Sequence, residues 1–309
     1  MRPAVVDIGT NSTRLLIADV HDGRVEELER RSTVTRLGQG VDATGRLAPE
    51  AEQRVLAALT EYARAIESHG CDTRTAVMTS AVRDAANGAR FAAEVRDSFG
   101  LDARTLSGDD EAKLTFLGAT AGRAPGDATQ LLVVDIGGGS TELVLGSAGE
   151  VSFHVSTQNG VVRHTERHIA TDPPTPGELE ALAAEVRADL ARHLPAGPRT
   201  QARELVAVAG TATSGAAIDL ALEPYDSARV EGHVLTRDTI EAMLTRLAAM
   251  PLAERRGVPG LDPARAPTIV AGMAILLEVL AACGLERVTV SDRDILWGVA
   301  ITSARDDWT

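Results

Sequence analysis

Residues 5–15 read VVDIGTNSTRL and residues 133–143 read VVDIGGGSTEL. Eight of the eleven positions are identical, at a separation of 128 residues. Each copy is an apolar strand, an acid, a short glycine-containing turn ending in Ser-Thr, and a second apolar run, LLIADV in the first copy and LVLGS in the second. The pattern predicts a β-hairpin with a polar tip, occurring twice. A separation of one domain length predicts two similar α/β domains whose tips face each other. The Pro- and Gly-containing stretch 123–127 marks the boundary, giving domains 1–124 and 125–309.

The segments around the hairpins support this division. Residues 49–69 place Leu56, Leu59, Ala63 and Ile66 on one helical face, with Pro49 at the start and Gly70 beyond the end. A strand is expected at 75–80, a helix at 87–99 and a short strand at 103–106. Ser107 to Asp110 has capping-box spacing and opens a helix carrying Leu114, Phe116 and Leu117. The second half predicts helices at 176–194, 238–250 and 266–282, strands at 205–208 and 287–290, and a GTATS turn from Gly210 into a further helix. A last helix from 295 crosses back onto the first domain.

A formal charge of -13, from 31 basic and 44 acidic residues, disfavours a broad footprint for DNA, RNA or an anionic membrane. Any anionic ligand needs a locally basic site. Two cysteines, Cys71 and Cys283, exclude a disulfide framework and a four-cysteine zinc site, and suit core thiols in a reducing compartment. The start of the chain runs directly into strand pattern without a leader, so a cytoplasmic protein is expected. Residues 266–285 are apolar but interrupted by Pro267, Gly272, Glu278 and Gly284, which predicts a core helix and not a membrane span.

The hairpin tips carry the chemistry. Glycine permits positive φ and close approach of backbone amides to an anion, so the amides around Gly9, Thr10, Asn11 and Ser12, and around Gly137, Gly138, Gly139, Ser140 and Thr141, are candidate phosphate donors. Asp7 and Asp135 end the preceding strands, where a carboxylate repels phosphate unless a hard cation or ordered water lies between. An acid beside a glycine turn therefore points to a metal–phosphate ligand. One copy alone reads equally well as a plain tight turn, but a plain turn does not require the same acid and Ser-Thr twice.

Paired phosphate-binding hairpins resemble the duplicated actin-like ATPase (ribonuclease H-like) fold of actin, heat-shock ATPases and sugar kinases, with an interdomain cleft. Particular strings narrow the resemblance to the exopolyphosphatase and guanosine pentaphosphate phosphatase (Ppx/GppA) family: DIGTNSTRLL from Asp7, TSAVRDAAN from Thr79, SGDDEAKLTFLG from Ser107, DIGGGSTEL from Asp135, GVVRHTER from Gly160, GTATS from Gly210 and RAPTIVAGMAIL from Arg265. The resemblance runs through nearly the whole chain and implies hydrolysis of the terminal phosphoanhydride of polyphosphate or guanosine pentaphosphate. By motif position, Glu111 is the implied general base, and Arg83 the residue reaching the scissile phosphoryl group. Asp135 and Glu142, with Asp7, are the implied ligands of Mg2+ or another divalent cation. Arg163, Arg167 and Arg265 are candidates to guide the rest of a polyanion, and homodimerisation is implied by analogy.

The chain departs from the family pattern in three places. The family's paired glutamates are Asp110-Glu111 here, keeping the base and shortening its neighbour. SDRDILWG from Ser291 puts Trp297 where a charged residue is usual. The chain ends at Thr309, as in a short form without the additional helical region. His164 and His168 lie four apart, but H-T-E-R-H is not the zinc-protease order and no third ligand is evident in the sequence. Two other function classes compete: an ATP-dependent small-molecule kinase on the same superfold, and a non-catalytic nucleotide- or polyphosphate-binding protein that uses its loops as a switch.

Overall fold

The computed structural model describes residues 1–124, 126–147 and 150–305, and the chain divides into two compact units, Met1–Gly122 with the chain from Asp294, and Arg123–Arg293. The second unit is thus 123–293, not 125–309, because the last segment belongs to the first unit. Among the described residues, no helix is long and apolar enough to cross a membrane.

In the first unit, strands β1 (Pro3–Ile8), β2 (Ser12–His21), β3 (Arg24–Val34), β4 (Thr73–Met78) and β5 (Asp102–Thr105) form one sheet in the order β3-β2-β1-β4-β5. The first three are antiparallel, and β4 and β5 run parallel to β1. Central β1 is buried at every position, as expected for a strand covered on both faces. Strand alternation sends Ala4, Val6 and Ile8 to one core with the helices Pro49–His69 and Gly88–Phe99, and Val5 to another with Leu16, Ala18 and Val77. Helix Ile295–Arg305 covers that second face with Ile295, Leu296, Val299 and Ala300. Without it, this face of the sheet would expose its apolar residues to water.

The second unit repeats the order. Strands β6 (Leu131–Ile136), β7 (Thr141–Ser147), β8 (Glu150–Thr157), β9 (Glu204–Val208), β10 (Val234–Thr236) and β11 (Arg287–Val290) form the sheet β10-β11-β9-β6-β7-β8. Strands β8, β7, β6, β9 and β11 stand where β3, β2, β1, β4 and β5 stand in the first unit, with β10 added antiparallel at one edge. The chain therefore has the duplicated ribonuclease H-like topology of the actin-like ATPase fold. Apolar helix Ile269–Cys283 is a core helix of this unit.

Several expected elements shift. The strand assigned to 75–80 ends at Met78, because Ser80 already begins the helical turn Ser80–Asp84. GTATS lies inside helix Ala209–Asp219, whose preceding residues leave no separate turn. Helix Pro49–His69 buries Val55, Leu59, Tyr62 and Ile66, leaving Leu56 and Ala63 half-buried, and ends at Gly70 in the left-handed region. Cys71 and Cys283 are free thiols at core margins, and burial pushes the Cys283 thiol up to about 11.

Candidate active site

Both hairpin turns are closed by the same bond: Gly9 N–H donates to Ser12 O at 3.0 Å, and Gly137 N–H to Ser140 O at 2.9 Å. Neither glycine uses the left-handed region that its sequence allowed. What excludes a side chain is proximity, since a Cβ would lie 3.1 Å from Ser12 O at Gly9 and 3.2 Å from Ser140 O at Gly137.

The turn carbonyls are tied down from one side. In the first unit, Thr10 O accepts from Gly38 N–H at 2.8 Å, and Asn11 O from Thr35 and Arg36 N–H at 3.0 and 2.9 Å. In the second, Gly137 O and Gly138 O accept from Val161 and Val162 N–H, each at 2.9 Å, and Gly139 O accepts from Arg163 Nε at 3.0 Å. In a planar trans peptide, C=O of one residue and N–H of the next point to opposite sides. The amides of Asn11 and Ser12, and those of Gly138, Gly139 and Ser140, therefore face away from the segments that hold the carbonyls. Consecutive N–H groups turned to one side are what a phosphate oxygen requires.

Thr10 is fixed by its hydroxyl, 2.8 Å from Ser80 Oγ, and accepts from Ala81 N–H. Thr141 donates to Asn159 O at 2.6 Å. The Ser12 hydroxyl is buried with no hydrogen-bond partner among the described residues.

The acids differ sharply between the hairpins. Asp7 and Arg14 are cross-strand neighbours, as are Asp135 and Glu142. Arg14 donates from Nε and Nη2 to Asp7 Oδ2 at 2.9 and 2.6 Å, and it also pairs with Asp294. Asp7 Oδ1 is buried without a hydrogen-bond partner among the described residues, and burial pushes the Asp7 carboxyl up from its ordinary range despite Arg14. On the second hairpin, two buried carboxylates face one another, with Glu142 Oε1 accepting from Ser156 Oγ at 2.8 Å. The sequence reading missed Arg14 and Asp294. The repeat held the signal for Arg14, at the position where the second copy has Glu142.

Glu111 and Arg83 come together. Helix Gly108–Thr120 begins at Ser107, whose hydroxyl accepts from Asp110 N–H at 3.1 Å. Asp110 does not complete a capping box; its shorter side chain takes the Ser107 hydroxyl at 2.7 Å and stays exposed. Glu111, one residue later, is buried and accepts from Arg83 Nη1 at 2.9 Å, while the same Nη1 donates to Leu106 O at 3.2 Å. The helix is braced by Ile295–Arg305: a Cβ at Gly118 would lie 1.8 Å from Asp294 O, and one at Gly298 1.9 Å from Leu114 O. Trp297 is buried in the first unit, with the Arg30 guanidinium 5.0 Å from its ring centroid.

The polyanion candidates are scattered in role. Arg163 is drawn onto Gly139 O, Arg167 pairs with Glu185, and the Arg265 guanidinium lies over Gly210, where a Cβ would meet Nη1 at 1.7 Å.

Known proteins resemble the chain over nearly its whole length. Residues 16–304 match the Ppx/GppA phosphatase family. Exopolyphosphatase 2 of Mycobacterium tuberculosis is 40% identical over 318 residues, covering 98% of each chain. The crystal structure of an exopolyphosphatase-like protein superposes with a TM-score of 0.91 at 35% identity, covering 99% of both chains. The Aquifex aeolicus Ppx/GppA family member superposes at 0.81 with 30% identity, covering 100% of this chain and 99% of that one. With the family match over residues 16–304 and a relative 40% identical over 98% of the chain, the chain belongs to the Ppx/GppA phosphatase family.

Proposed function

We propose that the chain hydrolyses the terminal phosphoanhydride of a polyanionic substrate, polyphosphate or guanosine pentaphosphate, releasing inorganic phosphate. The observation that carries the reading is the pairing of buried Glu111, at the start of helix Gly108–Thr120, with half-buried Arg83. A carboxylate at this position can take a proton from water attacking phosphorus in line. Arg83 then offers planar donors to the phosphoryl oxygens as charge moves onto them. In each unit the turn amides, Asn11 and Ser12 in the first and Gly138, Gly139 and Ser140 in the second, are the donors offered to phosphate oxygens.

The donor chemistry of the second hairpin fits a hard divalent cation such as Mg2+, since Asp135 and Glu142 supply carboxylate oxygens side by side. Asp7 offers only Oδ1, because Arg14 holds Oδ2. Such a cation, when bound, draws negative charge from the phosphate oxygens. The M. tuberculosis relative's name favours polyphosphate, and family membership favours water as acceptor over the kinase and switch readings.

Phosphate release with Mg2+ from short polyphosphate, long polyphosphate, guanosine pentaphosphate and ATP, measured in parallel, tests the reading. One of the first three is turned over, and Glu111→Ala loses at least about a hundredfold in kcat. Release indifferent to Glu111, or from none of the four, overturns it.

A further inference from the structure

The second unit contains a group of ligating side chains that the hydrolase reading leaves unused. His164 and His168 stand one turn apart on helix Val161–His168, with rings stacked 5.5 Å apart between centroids and 15° from parallel. Helix Pro176–His193 brings Glu185 beside them, the third ligand that the sequence did not reveal. One ligand atom from each of the three lies within 4.8 Å of the other two, and among the described residues this is the one such group of three.

The hydrogen-bond network sets the tautomer of His164. Asn159 Nδ2 donates to Asp189 Oδ2 at 2.9 Å and to Thr157 Oγ1 at 3.1 Å. The amide nitrogen thus faces the carboxylate, and Asn159 Oδ1, 3.0 Å from His164 Nε2, must be an acceptor. Nε2 therefore carries the proton, and Nδ1 presents a bare lone pair. Nδ1 is buried and has no hydrogen-bond partner among the described residues, on a side chain only 1% exposed. A histidine whose second ring nitrogen donates to a fixed carbonyl has the outer-shell support usual for metal ligands. Beside it, His168 Nε2 lies 2.6 Å from Glu185 Oε2.

We infer that His164, His168 and Glu185 form a binding site for a borderline divalent cation of the Zn2+ class, cross-linking helices Val161–His168 and Pro176–His193. Two imidazoles and one carboxylate select Zn2+, Co2+ or Ni2+ over Mg2+, which prefers an all-oxygen shell. Three protein ligands leave a fourth, tetrahedral position for water. The site is separate from Asp135 and Glu142, yet its first helix supplies the Val161 and Val162 amides that hold the Gly137 and Gly138 carbonyls. Occupancy stiffens the support beneath the second phosphate turn.

Calorimetric titration of the chelator-treated full chain with Zn2+, in millimolar Mg2+, tests the site, together with the visible spectrum of the Co2+-loaded protein. Wild type binds one Zn2+ per chain, shows d–d bands of a four-coordinate nitrogen-containing site with Co2+, and melts at higher temperature with Zn2+. His168→Ala and Glu185→Gln, checked for native circular dichroism, each weaken binding at least about tenfold, whereas Glu142→Gln leaves it unchanged. Failure of wild type to bind stoichiometrically overturns the inference. So does binding that both ligand variants retain, or that Glu142→Gln abolishes. If either ligand variant fails to fold, the other, with the wild-type Co2+ spectrum, decides.

Discussion

The hairpins β1–β2 and β6–β7 share a sequence, a cross-strand register and a closing hydrogen bond, yet they present opposite charge patterns at one position. Arg14 faces Asp7 where Glu142 faces Asp135. In the first hairpin the acid is held by a guanidinium that also engages Asp294, the residue where the chain returns to this unit. In the second, two buried carboxylates are cross-strand partners, and Glu142 also accepts from Ser156 Oγ. Duplication thus supplied two turns closed by the same bond, and Arg14 against Glu142 separates them into an ion pair and an acid pair.

Exchanging the charges is the strongest way to break this comparison. Glu142→Arg gives the second hairpin the first one's pattern, and kcat/KM for phosphate release falls about a thousandfold. Steady-state assays across a Mg2+ series check this, and a variant that keeps its Mg2+ response would refute the assignment. Arg14→Ala acts mainly on folding, because Asp7 and Asp294 lose their buried counterion. The first unit loses about 3 kcal/mol, read by urea denaturation.

A finer test separates the supports beneath the two turns. A Cβ at Gly160 would lie 2.2 Å from the Gly139 backbone carbon, whereas one at Gly38 would meet the Thr10 methyl at 2.2 Å. Backbone cannot turn aside as a methyl can. Gly160→Ala therefore costs about 2 kcal/mol and raises KM, while Gly38→Ala costs about 1 kcal/mol; equal melting temperatures would erase the distinction. The smallest stability change is expected from Ser12→Ala, which removes a buried hydroxyl lacking a protein partner. Stability shifts by less than about 1 kcal/mol, while KM rises if that hydroxyl meets phosphate. An unchanged KM would remove Ser12 from the binding set.

Elements with strong local signals were legible before the structure. Helix Pro49–His69 has proline at its start, glycine past its end and apolar positions at helical spacing, so its bounds are read directly. Strands β3 and β8 were not foreseen. Their sequences, RVEELERRSTV and EVSFHVST, mix charge with apolar residues because each is an outer strand of its sheet, where charge also discourages pairing with other chains. Glu111 and Arg83 were legible only through resemblance, since a first-turn acid and a lone arginine carry no local mark of catalysis. Glu185 carried still less, being one of many helical acids until Pro176–His193 sets it beside His168.

The sequence by itself determined the duplication, the hairpin turns and the residue types that phosphate chemistry needs, because these depend on neighbours within a dozen positions. Tertiary structure alone decided how those groups are paired. Arg14 takes one oxygen of Asp7, Arg83 reaches Glu111 across 28 positions, and Gly118 and Gly298 let two helices approach closely enough to brace the helix that carries Glu111. Side-chain protonation, support and accessibility arise from burial and from partners distant in the chain, and periodicity along a sequence records only which face is covered, not by what.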